Sequence, residues 1–338
     1  MPTWTAERTT VNQHIAVGAE SLTALGTKVA CTKLLEMFSF DIGIDADVMF
    51  YRGTGRKYPS TQEENKEWSS VDVSGNMDYN GVIYPLGGVF GAASPVAHGT
   101  SVTAKDWIFT PPITGSIVPQ TLSIEQGDAV RAHSLAYGLF TDFGYKGTRT
   151  DITLNGTKMI AQPLQDAITL TASPVAVPIA PIVSKHLNLY LDSSAAALGT
   201  TQLLRALSID FAVAGVYSPL WVFNRTNASW AAHVDTVPAS KFKLKLEADA
   251  QGMALLGYLQ SGVTYYLRAN AQGNAIAADG PGTVYNVFQH DMAIKVGKPT
   301  KFADDQGVFA IEWECTIVED NTWGKSQMVT VTNLIASL

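Results

Sequence analysis

The side chains able to do chemistry are few in this chain, and their spacing is poor. Six histidines occur, at His14, His98, His133, His186, His233 and His290. None shows the spacing of metal ligands. His290 stands beside Asp291 and so offers half of a catalytic dyad, but the pair reads more simply as a surface pair at a strand end. Ser123, Ser134 and Ser208 lack the sharp Gly-x-Ser-x-Gly turn that exposes a nucleophile. Gly53-Thr54-Gly55-Arg56-Lys57 has the flavour of a phosphate loop. It lacks the following Ser or Thr and the strand-to-helix setting. Carboxylates gather at Asp41, Asp45 and Asp47 and at Asp304 and Asp305, a spacing that would suit acid–base catalysis or calcium. An exposed acidic strand or turn explains them as well, and Glu63, Glu64 and Glu67 read as a solvated loop. Trp68, Trp107, Trp221, Trp230, Trp313 and Trp323 would have to share one flat face to hold a sugar, yet several sit in buried-strand patterns. The two cysteines, Cys31 and Cys315, lie far apart in strand-like apolar surroundings. They read as buried thiols, not as a disulfide frame or metal site. Enzyme chemistry, a metal and a cofactor are therefore not expected.

The bulk composition points the same way. The 338 residues are 46% hydrophobic, enough for real cores. Only 16% are charged, against roughly 25% in an ordinary domain. With 28 glycines and many Ala, Ser and Thr residues, this is a chain of strands and turns. Its low charge fits a surface largely covered by partners. The net charge is −7, and only Arg52–Lys57 and Lys241–Lys245 concentrate cations. Tight nucleic-acid binding needs many phosphate contacts and is disfavoured. The start of the chain lacks a basic-then-apolar signal pattern. No apolar run is long enough to span a membrane as a helix. Residues 167–182 are apolar but carry Pro174, Pro178 and Pro181, which predicts an extended linker.

Stepping outward to the elements, the chain echoes itself. Ala24-Leu25-Gly26-Thr27 returns as Ala197-Leu198-Gly199-Thr200, and further echoes follow in the same order. The period, near 170 residues, is the length of a domain. The pattern predicts an arm over 1–23, a first domain over 24–170, a linker over 171–184 and a second domain over 185–338. Strict alternation, as in Phe38, Phe40, Ile42 and Ile44, predicts a strand over 35–51. Further strands are expected near 121–125, 129–145, 150–154, 205–213, 219–224, 240–248, 263–269, 284–296 and 307–319. One helix per repeat is expected, near Tyr79–Leu86 and Ala248–Gln260, the second burying Met253, Leu256 and Leu259. Arg52–Lys66 reads as a long loop or flexible hairpin, and Asn155-Gly156 as a hairpin turn. Glu312 and Glu314 fall on the polar face of the last long strand.

Several runs carry a family resemblance. Glu20–Leu35, with Gly26 and Thr27, resembles the opening of tail tube proteins of long, non-contractile-tailed bacteriophages. Tyr51–Ser60, Gly75–Tyr79 and Thr121–Asp128 follow in family order; the last includes Glu125, Gln126, Gly127 and Asp128, with Arg131 soon after. The second half lacks that series and has Val287–Asp291 at the place taken as comparable. The resemblance implies a mainly β fold of two tandem tail-tube domains, each a β-sandwich or barrel with a flanking helix. It implies a pseudo-sixfold, homotrimeric ring with a continuous inner β-barrel. Rings would stack into a hollow tube that conducts DNA from capsid to host during ejection, the duplex passing through the lumen without tight binding. Partners would be the chain itself, the tail terminator, tape measure and distal tail proteins. The setting would be the phage tail, assembled in the host cytoplasm. Arg52, Arg56, Lys57, Glu63, Glu64 and Trp107 are then candidates for ring stacking, and Glu312 and Glu314 for the lumen or outer face. The competing readings are a carbohydrate- or host-receptor-binding β module on a virion surface, and a carboxylate-dependent glycosidase.

Overall fold

Alternation of apolar and polar side chains dominates the sequence, and it yields strands almost throughout. The computed structural model describes residue 10 and residues 13–99, 101, 103–223, 228–276 and 283–338. The first half contains β1 (His14–Ala19), β2 (Lys33–Leu34), β3 (Phe38–Tyr51), β4 (Thr61–Gly75), α1 (Ile83–Phe90), β5 (Val96–Ala97), β6 (Lys105–Phe109) and β7 (Leu122–Gly127). It continues with β8 (Ala132–Gly147), β9 (Ile152–Leu154), β10 (Thr157–Ala161), β11 (Gln165–Ile168) and β12 (Val175–Ala176). The second half contains β13 (Leu187–Asp192), β14 (Ala206–Ala214), β15 (Tyr217–Leu220), β16 (Ala232–Asp235), β17 (Ala239–Glu247) and α2 (Ala250–Ser261). It closes with β18 (Tyr265–Ala275), β19 (Tyr285–Pro299), β20 (Ala303–Asp305), β21 (Val308–Ile317) and β22 (Gln327–Asn333).

The antiparallel pairings of the two halves follow one plan. In the first, β1 pairs with β7, β7 with β8, β8 with β10, β10 with β4, and β4 with β3. In the second, β13 pairs with β18, β18 with β19, β19 with β21, β21 with β17, and β17 with β14. Each helix follows the matching strand, α1 after β4 and α2 after β17. Even a register shift recurs, beside Met159 where β8 meets β10 and beyond Val296 where β19 meets β21. By this plan β18 occupies the place of β7, so Val287–Asp291, on β19, is not the counterpart of Glu125–Asp128. The halves are joined by hydrogen bonds. The end of β8, Phe143–Gly147, pairs with β14, and β22 pairs with both β19 and β6.

The expected closed barrel is corrected by these pairings. They branch at β8 and β19, but among the described residues no run of pairs returns to its starting strand to form a barrel. The sheets are open and mixed: β12 pairs with β2 in parallel, the other pairs being antiparallel. Where β13 would have to reach β14 and the end of β8, a cleft of about 450 Å³ intervenes, lined by Leu187, Leu189, Leu203 and Ile209. Among the described residues the pairings therefore enclose no channel. The continuous inner β-barrel, and the DNA-conducting tail tube built on it, do not hold for this fold. The keywords that rest on them fall as well: the β-barrel channel, the stacked homotrimeric ring and DNA ejection.

The helices are explained by local chemistry. Asp249 caps α2, its side chain accepting from Gly252 N at 2.8 Å, and Gly262 ends it at φ 63°. Leu255 and Gly252 form its buried face, with Leu259 packed beside them, while Leu256 is turned outward. Of the expected Met253, Leu256 and Leu259, Met253 and Leu259 do pack against the core and only Leu256 does not. All eight residues of α1 are buried. Its backbone lies so close to β8 that a Cβ on Gly88 would sit 2.5 Å from Phe140 Cδ2. Two turns also differ from expectation. The hairpin after β8 turns at Thr148–Asp151, closed by Thr148 N donating to Asp151 O at 2.9 Å. Asn155-Gly156 merely separates β9 from β10, which both pair with β8.

Candidate functional site

The feature that leaves the body of the fold is the β3–β4 ribbon. The two strands pair from Phe38↔Gly75 out to Tyr51↔Thr61. Support from β10 ends at Ser69. Beyond Ile44↔Ser69 the ribbon is two-stranded, so of the loop or flexible hairpin expected over Arg52–Lys66 it is the hairpin that forms, its loop confined to residues 52–60. Two-stranded ribbons are marginal alone, and this one is braced at its base. Trp68 meets Trp221 edge-on at 5.7 Å, Lys66 Nζ lies 5.0 Å from the Trp221 ring centre, and Glu67 N donates to Ala228 O at 3.0 Å. Farther out, Asn65 Nδ2 donates to Asp47 Oδ2 at 2.9 Å.

Alternation gives the two faces of β3 opposite characters. Phe38, Phe40, Ile42, Ile44, Ala46, Val48 and Phe50 share one face, and Asp41, Asp45 and Asp47 the other. The apolar face begins in the core, where Phe38 and Phe40 are buried, and runs into solvent, where Ile44 is 66% and Phe50 64% exposed. By the same alternation the exposed Met49 and Tyr51 fall on the acidic face, and Tyr58, at the tip, is 79% exposed. Covering a side chain such as Phe50 is worth about 1.5–3 kcal/mol, stabilisation that the isolated chain forgoes. Arg52, Arg56 and Lys57 ring the tip, and Glu63 and Glu64 stand exposed on β4. Burial, and then the Glu64 charge, push the Glu67 carboxyl up. Five of the six stacking candidates therefore sit on this arm. Trp107 does not: it is buried, its Nε1 donating to Ile335 O at 2.9 Å.

The motif residues are architectural. Glu125 is buried, 3.5 Å from Lys28 Nζ, and accepts from Thr171 N at 2.7 Å. Gln126 Nε2 donates to Phe40 O at 3.3 Å. Gly127, at φ 146°, leads into a turn in which Asp128 accepts from Val130 N and Arg131 N. Arg131 forms a forked pair with Asp166, which holds that carboxyl down at about 2. Gly26 donates its N–H to the buried Glu20 carboxylate at 2.8 Å, and Thr27 N closes a turn onto Ala24 O. Glu312 and Glu314 face solvent from β21, register-matched to Lys245 and Lys243, while Ile311, Trp313 and Cys315 point into the core. Lys241 lies 2.8 Å from Glu314 and lowers its pKa. Both acids stand on the solvent face of the β17–β21 pair.

The acids that organise the repeated tetrapeptide are absent from the residues singled out by pattern. Glu20 also accepts from Thr121 Oγ1, Ser123 Oγ and Tyr137 N at 2.8–2.9 Å. In the second half, buried Asp192 does the same work, accepting from Gly199 N, Thr200 N, Thr200 Oγ1 and Thr201 N. Each acid ends or follows the strand before an Ala-Leu-Gly-Thr loop. That placement, six or seven residues upstream of the glycine, was the available signal.

His290 and Asp291 are not the surface pair expected; both are buried. They point to opposite faces of β19. His290 meets the Tyr145 hydroxyl and Gln327 Oε1, each at 3.1 Å. Asp291 takes a fork from Arg268 at 2.7 and 2.9 Å and a bond from Gln289. Burial pushes the imidazole down to about 4, so it is neutral at ordinary pH. A dyad needs both groups on one face, and this pair is divided by the strand. Burial pushes both cysteine thiols up to about 12. Among the described residues no group of three or more His, Cys, Asp or Glu side chains is placed to hold a metal ion. The cleft beside β13 offers Ser184, Asn188, Gln202 and Arg149 but no aromatic ring. It therefore lacks the flat platform on which a sugar stacks. The chain matches no protein-family model and none of the curated proteins.

Proposed function

We propose that this protein is a non-catalytic β binding module of the receptor-binding kind, and that the β3–β4 arm is its contact surface. The observation that carries this reading is the apolar face of β3, which continues unbroken from the core to an exposed Ile44 and Phe50. A contiguous apolar surface rimmed by charge marks an interaction site, and the acidic opposite face keeps the arm soluble. The mixture of aliphatic and aromatic side chains favours a protein receptor over a sugar. The ordered resemblance of Glu20–Leu35 and Thr121–Asp128 to phage tail proteins supports a virion as the setting.

The test compares the wild-type chain with an Ile44→Ser/Phe50→Ser variant on panels of purified host surface proteins and glycans. Both positions are exposed, so thermal stability is expected to stay within about 0.5 kcal/mol of wild type. Binding to a protein ligand that the variant loses supports the reading. Binding that survives the variant, or a glycan ligand alone, overturns it.

A further inference from the structure

The arginines of this chain fall into two groups. Among the described residues, each arginine in the body of the fold holds a carboxylate: Arg131 holds Asp166, Arg149 Asp305, Arg205 Glu247 and Arg268 Asp291. Arg52 and Arg56, at the tip of the β3–β4 arm, hold none, and neither does Lys57 beside them; all three are exposed. From Val48 to Gln62 the chain carries these three cations and no carboxylate, although its net charge is −7. The turn gathers them. Arg56 N donates to Gly53 O at 3.2 Å, and Gly55, at φ 78°, takes the left-handed conformation the turn requires. The Arg56 stem folds back over Gly53, where a Cβ would lie 3.5 Å from Arg56 Cδ. Exposed Tyr51 and Tyr58 flank the turn. The arm also carries this group away from the acidic body. At ~3.3 Å per residue, Tyr51 stands roughly 23 Å beyond Ile44, where support from β10 ends. The nearest carboxylates along the ribbon are Asp47 and Glu63, the latter opposite Met49. Both lie about 10 Å or more behind Arg52, beyond the ~8 Å over which exposed charges act at physiological salt.

We propose that the arm tip docks on an anionic phospholipid surface, with Arg52, Arg56 and Lys57 on lipid phosphates and Tyr51 and Tyr58 among the headgroups. A guanidinium fork matches two phosphate oxygens, and the two tip arginines have no carboxylate to compete for it. A tyrosine ring is apolar in its body and polar at its hydroxyl, which suits the boundary between lipid and water. A soluble polyanion would need the cations alone; cations set beside exposed rings favour a lipid surface. Three cations at such a surface strengthen association by about a hundredfold. The contact is peripheral, made at the headgroups. It uses the tip and not the Ile44 face of the arm, so it stands or falls separately from the receptor-binding reading.

Flotation of the full-length protein with phosphatidylcholine vesicles, with and without phosphatidylglycerol, tests this. Wild type is expected to float only with the phosphatidylglycerol vesicles, and less at high salt. Arg56→Gln/Lys57→Gln removes two of the three cations and is expected to weaken binding by about thirtyfold, with thermal unfolding unchanged because both side chains are exposed. Lys298→Gln/Lys301→Gln makes a like change of charge at exposed positions elsewhere and is expected to retain binding. Tyr58→Ser is expected to weaken the binding that survives at high salt, where the cations are screened and the rings are not. Hydrogen exchange on the wild type needs no variant: amides of residues 52–58 gain protection on phosphatidylglycerol vesicles. No flotation, equal loss from the two double variants, release by inorganic phosphate at matched ionic strength, or a Tyr58→Ser variant that binds as wild type does at every salt concentration overturns the proposal.

Discussion

Two buried groups titrate in opposite senses in mildly acidic solution, and separating them tests the assignment of the core. His290 is held neutral, its pKa pushed down from 6.5 to about 4 by burial. Its contribution to stability is full above the unfolded value and is lost as pH falls toward 4. Between about pH 7 and about pH 5 the unfolded chain takes up the proton and the folded one does not, a loss of roughly 2 kcal/mol. Asp78 behaves oppositely. Burial raises its carboxyl from 3.8 to about 6, despite the N–H groups of Asn80, Gly81 and Ala180 that point at it. Its contribution is full below the unfolded value and is lost as pH rises through about 6, so the same acidification returns roughly 1 kcal/mol. Urea unfolding of wild type, His290→Gln and Asp78→Asn across this interval reads both. Relative to wild type, His290→Gln is expected to gain roughly 2 kcal/mol on acidification and Asp78→Asn to lose roughly 1 kcal/mol. All other titrations cancel in these differences. Differences that stay flat, or that run the other way, refute the burial assigned to these groups.

Two further outcomes follow from packing. Gly88→Ala drives a Cβ into the Phe140 ring and should cost roughly 1–3 kcal/mol in urea unfolding, whereas Gly257→Ala on α2, with nothing within 4 Å, should be neutral or stabilising by up to about 1 kcal/mol. Arg268→Ala strands the buried Asp291 carboxylate and should cost roughly 3–5 kcal/mol, and Arg268→Ala/Asp291→Leu should recover much of that loss in the same assay.

Strand positions were legible because alternation is a local property. Phe38 to Ile44, the run from Val308 to Ile317 and the strand at Ala239–Glu247 could be read from side-chain period alone. The second helix was legible in place, whereas the first begins at Ile83, a turn beyond the expected Tyr79. Leu255 and Leu256 are equally apolar, and only the sheet beneath α2 selects which is covered. The Asp41, Asp45 and Asp47 cluster was legible as an acidic strand face.

The residue order alone established a mainly β chain with an internal echo and two cysteines in apolar strand surroundings. It also placed Ile42 and Ile44 on the same face as Phe38 and Phe40. Tertiary structure decided which part of that face is covered, that His290 and Asp291 are interior, and that the sheets remain open. The physical reason is that period tells which side chains share a face. Burial and edge pairing depend on strands far apart in sequence meeting, as β8 meets β14 and nothing in the chain meets the outer edge of β3 among the described residues.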